Sequence, residues 1–115
     1  MSPETEPIMV TDADFNDTVL RAERLVVVDF WAPWCRPCLA LAPVVQELTA
    51  MYAGRVLFAK MNVDGNPRTK AALAIRSIPT VVVFVQGREV SRVIGSDDAK
   101  GRIGAAISGA LSAAD

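Results

Sequence analysis

The sequence of 115 residues contains no histidine and only two cysteines. The absence of histidine excludes Ser-His-Asp and Cys-His nucleophile systems, histidine acid–base catalysis and histidine-ligated metal sites. Two cysteines form neither a four-cysteine zinc site nor a disulfide framework, so we expect no bound metal. The chemistry of the protein must therefore come from other residue types or from the cysteine pair itself.

The sequence also lacks an excess of positive charge and any long hydrophobic run. Its 12 basic and 13 acidic residues give a formal charge of −1, which is not typical of nucleic-acid binding. The longest apolar runs, such as Val81–Val85, have the length of a strand and not of a membrane span. Residues 1–7 are acidic and contain no signal-peptide pattern, so we expect a disordered tail there, a single domain over residues 8–115 and a cytoplasmic location.

Nearly continuous apolar runs and apolar residues at helical spacing predict the secondary structure of that domain. Strands are predicted at residues 8–10, 25–31, 56–63, 81–85 and 90–94. Helices are predicted at residues 12–22, 36–52 and 67–74, and a last helix begins near Ser96–Asp98. Strands that alternate with helices favour parallel pairing through right-handed crossovers, and the closing hairpin adds antiparallel strands. These patterns predict an α/β fold with a mixed central sheet of about five strands and helices on both faces.

The two cysteines lie in the segment Trp34-Cys-Arg-Pro-Cys38, between a buried strand and the start of a helix. At that spacing they are neighbours about 5–6 Å apart at Cβ, close to disulfide distance. The unpaired N–H groups and partial positive charge of a helix start stabilise a thiolate. This favours Cys35 as the nucleophile nearer solvent and Cys38 as the buried resolving thiol. The alternative is two buried structural cysteines, although the position after a strand favours redox chemistry.

Several separated segments of the sequence, in matching order, resemble the thioredoxin family. They are Val28–Cys38, Ala42-Pro43, Lys60–Asp64, Ile75–Thr80 and Gly87. The resemblance extends from about residue 8 to residue 112 and implies the thioredoxin α/β sandwich. It also implies that the protein reduces disulfides in protein substrates and is regenerated by an NADPH-dependent thioredoxin reductase. We expect a monomer that needs no bound cofactor.

The resemblance assigns roles to residues around the cysteine pair. Asp29 interrupts an apolar strand, where burial raises a carboxyl pKa, and the family implies that it accepts a proton from Cys38. An exposed aspartate at a strand end is the alternative. Lys60 resembles the family lysine that approaches this carboxylate. Pro79 resembles a cis-proline that faces the cysteines and leaves the backbone of Ile78 free to pair with a substrate strand.

The remaining assignments concern substrate contact. Trp34, Arg36, Pro37 and Gly95 are expected to form substrate surface with Ile78 and Pro79, because an exposed tryptophan beside a thiol suits that role and Gly95 resembles a glycine of the same groove. Arg36 stands where the family usually has glycine.

A second departure from the family is Leu39, which stands where lysine is usual. The two departures leave redox potential and partner choice open. The sequence therefore predicts a general protein disulfide reductase. The alternatives are a more oxidising, partner-specific redox protein and a non-catalytic binding module of the same fold.

Overall fold

Five strands form one mixed sheet in the computed structural model, which describes residues 5–114. The strands are β1 (Ile8–Met9), β2 (Leu25–Trp31), β3 (Val56–Asn62), β4 (Thr80–Val85) and β5 (Arg88–Ile94), in the spatial order β1-β3-β2-β4-β5. β1, β3 and β2 are parallel, as the alternation of strands and helices predicts. The predicted tail, residues 1–7, lies mostly outside the described residues.

The direction of β4 differs from the simple alternating pattern. β4 pairs antiparallel with β2, so the chain reverses direction after β3 and enters β4 at the end of the sheet where β3 finishes. The connection contains a 3₁₀ turn at Val63–Gly65, a short helix α2 at Pro67–Ala72 and a cis Ile78–Pro79 peptide bond. This connection therefore brings the Ile78 segment to the end of the sheet where β2 finishes and the cysteine pair follows.

Two long helices, α1 (Arg36–Met51) and α3 (Ala99–Ala114), have bounds close to the predicted ones. The predicted helix over 12–22 is shorter, because a π-helical segment covers only Asn16–Leu20. The carboxylate of Asp12 instead accepts hydrogen bonds from the backbone N–H groups of Arg68 (3.0 Å) and Thr69 (2.8 Å) at the start of α2. No helix within residues 5–114 is long and apolar enough to cross a membrane.

Each face of the sheet carries its own apolar core, because successive side chains of a strand point to opposite faces. One core contains Val26, Val28 and Phe30 of β2 with Phe15, Val19 and Ile75. The other contains Leu25 and Val27 of β2 with Leu41, Val45 and Leu48 of α1 and Ile103 and Ile107 of α3. The sheet is therefore covered on both sides, as predicted.

The hairpin between β4 and β5 turns at Gln86 and Gly87, one residue earlier than the predicted Gly87-Arg88 turn. Both residues have positive φ, 48° and 79°. A Cβ atom at Gly87 would lie 2.5 Å from the backbone oxygen of Leu20. Glycine is therefore required here by the backbone conformation and by the close approach of the π-helical segment.

Candidate active site

The two cysteines are joined by a disulfide at the start of α1, with their Cα atoms 5.2 Å apart. Cys35 is the N-cap residue, with extended dihedral angles (φ −90°, ψ 106°), and α1 begins at Arg36. Its backbone N–H donates to the carbonyl of Ala32 (3.1 Å) in the turn that follows β2. The end of a central strand and the first turn of a helix thus fix the position of the pair.

The backbone of the first helical turn favours negative charge on one sulfur more than on the other. The N–H of Cys38 donates to Sγ of Cys35 at 3.2 Å. Pro37 lies within this turn and has no backbone N–H, so it adds no unpaired donor to the helix start. A thiolate on Cys35 would therefore keep a backbone hydrogen bond and face the positive end of the helix dipole.

Both cysteines are buried, which corrects part of the prediction for Cys35. Their exposed fractions are 5% for Cys35 and 2% for Cys38, so the order is as expected but Cys35 has little exposed surface. One cause is the carbonyl oxygen of Ile78, which lies 3.8 Å from Sγ of Cys35. Trp34 is 68% exposed and provides most of the accessible surface beside the pair.

Asp29 lies within β2 and is buried, with 1% of its surface exposed. This excludes the exposed strand-end alternative. Neither of its carboxylate oxygens has a hydrogen-bond partner among residues 5–114. Desolvation by burial raises the pKa of Asp29 from 3.8 to about 6, and the charge of Lys60 opposes that rise. A carboxyl group with that pKa exchanges a proton near neutral pH.

Lys60 is the registered neighbour of Asp29 on β3, as the resemblance implies. Its Nζ atom lies 4.4 Å from the centroid of the Trp31 ring, in a cation–π contact. The Nε1 atom of Trp31 is buried and, like the oxygens of Asp29, has no hydrogen-bond partner among the described residues. Lys60 therefore acts on the carboxyl group through its charge and is held by an aromatic ring.

A cleft of about 490 Å³ opens beside the disulfide. Trp34, Cys35, Arg36 and Pro37 form one wall, and Ile75, Arg76, Ser77 and Ile78 form the other, with Val63, Asp64 and Lys70 completing the lining. The peptide bond between Ile78 and Pro79 is cis, as predicted. The backbone groups of Ile78 make no hydrogen bond to another backbone group among residues 5–114.

Pro79 and Gly95 lie next to this cleft without forming its lining. Pro79 is buried, and its carbonyl oxygen accepts a hydrogen bond from the N–H of Gly95 at 2.9 Å. Gly95 has a φ of 87°, and a Cβ atom there would meet nothing within 4 Å. Four of the six predicted substrate residues, Trp34, Arg36, Pro37 and Ile78, do line the cleft.

Three charged residues of the cleft were not assigned a role by sequence reasoning. Asp64 accepts a hydrogen bond from Nε1 of Trp34 (2.9 Å) and so orients the exposed tryptophan. Arg76 belongs to the wall opposite Arg36, and Lys70 also lines the cleft. Asp64 is part of a segment that carries the family resemblance, but only the fold brings it within reach of a residue 30 positions earlier.

The Thioredoxin family model matches residues 6–108 of this chain. The chain belongs to the thioredoxin family. It is 49% identical to a thioredoxin of Synechocystis over 87 residues, which cover 76% of this chain and 81% of the relative. It is 46% identical to a chloroplastic M-type thioredoxin of Brassica napus over 88 residues, which cover 76% of this chain and 50% of that one.

The fold agrees with that membership. A solved thioredoxin structure from Malassezia sympodialis superposes with a TM-score of 0.82 at 32% identity, and the match covers 94% of this chain and 93% of that structure. With its Cys35–Cys38 pair, the chain is a thiol–disulfide oxidoreductase that reduces disulfides, and protein substrates follow from family membership. The non-catalytic module is therefore not supported.

Proposed function

We propose that the segment Trp34-Cys-Arg-Pro-Cys38 is the active site of a general protein disulfide reductase, with Cys35 as nucleophile and Cys38 as resolving thiol. The observation that carries this proposal is the hydrogen bond from the N–H of Cys38 to Sγ of Cys35. It favours a thiolate on Cys35 and gives Cys38 no equivalent donor. The general role extends the disulfide reductase activity of the family to many protein substrates.

The reaction consists of two exchanges of sulfur bonds. The thiolate of Cys35 attacks one sulfur of a substrate disulfide, the S–S bond breaks, and the leaving substrate sulfur takes up a proton. The mixed disulfide is then attacked by the thiolate of Cys38, which releases the second substrate sulfur. The substrate gains two electrons and two protons, and the protein is left with the Cys35–Cys38 disulfide.

Asp29 accepts the proton that Cys38 loses before the second exchange. The support is its burial and its pKa of about 6, which allow the carboxylate to take up a proton at neutral pH. Lys60, its neighbour on β3, opposes the rise in that pKa. Lys60 is thus a positioning residue that adjusts Asp29.

The substrate contacts the protein through the cleft. A substrate strand pairs with the free backbone groups of Ile78 next to the cis-proline Pro79. Trp34, Arg36 and Pro37 contact it from the opposite wall, and Gly95 supports Pro79 from behind through its hydrogen bond. These contacts place a substrate disulfide at Cys35, whose Sγ lies 3.8 Å from the carbonyl oxygen of Ile78.

The cellular setting is proposed from family membership. An NADPH-dependent thioredoxin reductase reduces the Cys35–Cys38 disulfide after each turnover. The protein acts as a cytoplasmic monomer with a single domain that begins at residue 8.

Insulin reduction separates the general role from the partner-specific alternative, which the exposed Arg36 favours. The precipitation of the insulin B chain is followed with dithiothreitol, and in a second assay with NADPH and a thioredoxin reductase. We expect activity in both assays. Activity with dithiothreitol alone would indicate a specialised redox protein, and inactivity in both would contradict the proposal.

A further inference from the structure

Three exposed cationic side chains line the active-site cleft. Arg36 is on the wall formed by the start of α1, Arg76 is on the wall formed by the segment after α2, and Lys70 of α2 completes the lining. The lining contains one acidic residue, Asp64, and one of its oxygens accepts the hydrogen bond from Trp34. The cleft therefore carries more positive than negative charge, although the chain as a whole has a formal charge of −1.

The three cations of the cleft are free to meet a ligand. None of them forms an ion pair or a side-chain hydrogen bond with another residue of the described range 5–114. Other cations of this protein do have acidic partners, in the pairs Arg21–Asp17, Arg92–Glu89 and Lys100–Glu47. The unpaired cations lining this cleft are thus available to negative charge on a substrate.

The reacting atoms lie between these charges. Sγ of Cys35 and the carbonyl oxygen of Ile78 are 3.8 Å apart and belong to opposite walls of the cleft. A substrate strand that pairs with Ile78 therefore runs between the walls that carry Arg36 and Arg76, and Lys70 belongs to the same lining. Charges act over roughly 10 Å at 0.1 M salt, so we expect the cations of this lining to act on the residues that flank the attacked cysteine of the substrate.

We infer that this cleft selects disulfides whose flanking residues are acidic. The inference rests on the proposed function and specifies its substrate class. Charge complementarity acts mainly on the rate of encounter and on partner choice. A single exposed charge contact changes an equilibrium or rate by roughly 1.4- to 5-fold. We therefore expect the three cations together to make the rate constant for reduction about tenfold higher for disulfides with acidic flanks than for those with basic flanks.

The test uses three synthetic peptides with the same intramolecular disulfide and the same length. Their flanking positions carry glutamate, glutamine or lysine. The second-order rate constant for reduction of each peptide by the full-length, pre-reduced protein is measured by stopped-flow fluorescence at low and at high salt. The acidic peptide should react fastest and the basic peptide slowest, and high salt should compress the range.

Substitutions identify the charges responsible. Lys70→Gln and Arg76→Gln should each lower the ratio of acidic to basic rates by a few fold, and the double variant should lower it to the roughly 1.4- to 5-fold that Arg36 alone supplies. Arg88→Gln is the matched control: Arg88 is exposed at the start of β5, far from the cleft, and its loss changes the net charge equally. This control should leave all three rates unchanged.

The possible results have different consequences for the inference and for the proposed function. Equal rates for acidic and basic peptides at low salt would overturn the inference while leaving the disulfide reductase intact. A preference that is undiminished in the double variant, or that falls equally in Arg88→Gln, would also overturn it, because Lys70 and Arg76 would not be its source. Failure to reduce any of the three peptides would overturn the proposed function and the inference with it.

Discussion

Asp29 is the residue whose chemistry departs most from its ordinary state in water. Its pKa is raised to about 6 by burial, and its carboxylate oxygens have no hydrogen-bond partner among residues 5–114. A protein retains such a group at a cost in stability, because the charged form is disfavoured inside the fold. The raised pKa therefore links the proposed proton transfer to a measurable pH dependence of unfolding.

We predict that ionisation of Asp29 lowers the free energy of unfolding of the oxidised protein between about pH 4 and pH 7. The folded pKa lies above the unfolded value, so the contribution of the neutral carboxyl is complete below about pH 4 and is lost as the pH rises through about 6. A rise of about 2 in pKa corresponds to roughly 3 kcal/mol. Asp29→Ala should remove this fall and be more stable than the parent at pH 7.5. The midpoints of urea unfolding of Asp29→Ala and of the parent, measured across pH, test this prediction.

Lys60→Gln provides the control for this pH dependence. Lys60 lowers the pKa of Asp29, so its removal should extend the fall in stability to higher pH. The account of Asp29 is wrong if Asp29→Ala is less stable than the parent at pH 7.5. It is also wrong if the free energy of unfolding changes with pH in the same way in Asp29→Ala and in the parent.

At the scale of elements, β5 supports the wall of the cleft through Arg92. Its guanidinium group makes two 2.7 Å hydrogen bonds to the carboxylate of Glu89. It also donates to the carbonyl oxygens of Leu73 (2.7 Å) and Ala74 (3.4 Å), which follow α2. Arg92 therefore anchors the segment that leads to Ile78 to an edge strand of the sheet.

We predict that Arg92→Met loosens this segment without unfolding the protein. The loss of charged hydrogen bonds at a side chain that is 25% exposed should lower the free energy of unfolding by about 1–2 kcal/mol. Amide hydrogen exchange should accelerate over residues 73–78 and not in α3. Arg21→Met is the control, because its ion pair with Asp17 is exposed and lies elsewhere. Equal exchange in parent and variant would show that Arg92 does not anchor the segment.

At the scale of the whole molecule, the sequence predicts the order and approximate bounds of the elements because the central strands are continuous apolar runs and α1 has apolar residues at spacings of three and four. The direction of β4 was less predictable, since it depends on how the chain turns after β3. The capping of α2 by Asp12 has no local signal, because its partners lie more than 50 positions away.

Some features of the active site can likewise be predicted from the sequence, whereas others depend on the tertiary structure. The spacing of Cys35 and Cys38 at a helix start can be recognised in the sequence, and the burial of Asp29 follows from its position in an apolar strand. The cleft depends on tertiary structure, because Arg36, Lys70 and Arg76 meet only when the segment after α2 folds back beside α1. No periodic pattern in the sequence indicates that these charges share one surface.

The most direct test of the account is to trap the mixed disulfide. Cys38→Ser removes the resolving thiol, so incubation with insulin should leave a substrate cysteine bonded to Cys35, as identified by mass spectrometry of the proteolytic peptides. Cys35→Ser is the matched variant, and it should trap no substrate. An adduct on Cys38 of the Cys35→Ser variant, with none on Cys35 of the Cys38→Ser variant, would contradict the assigned roles.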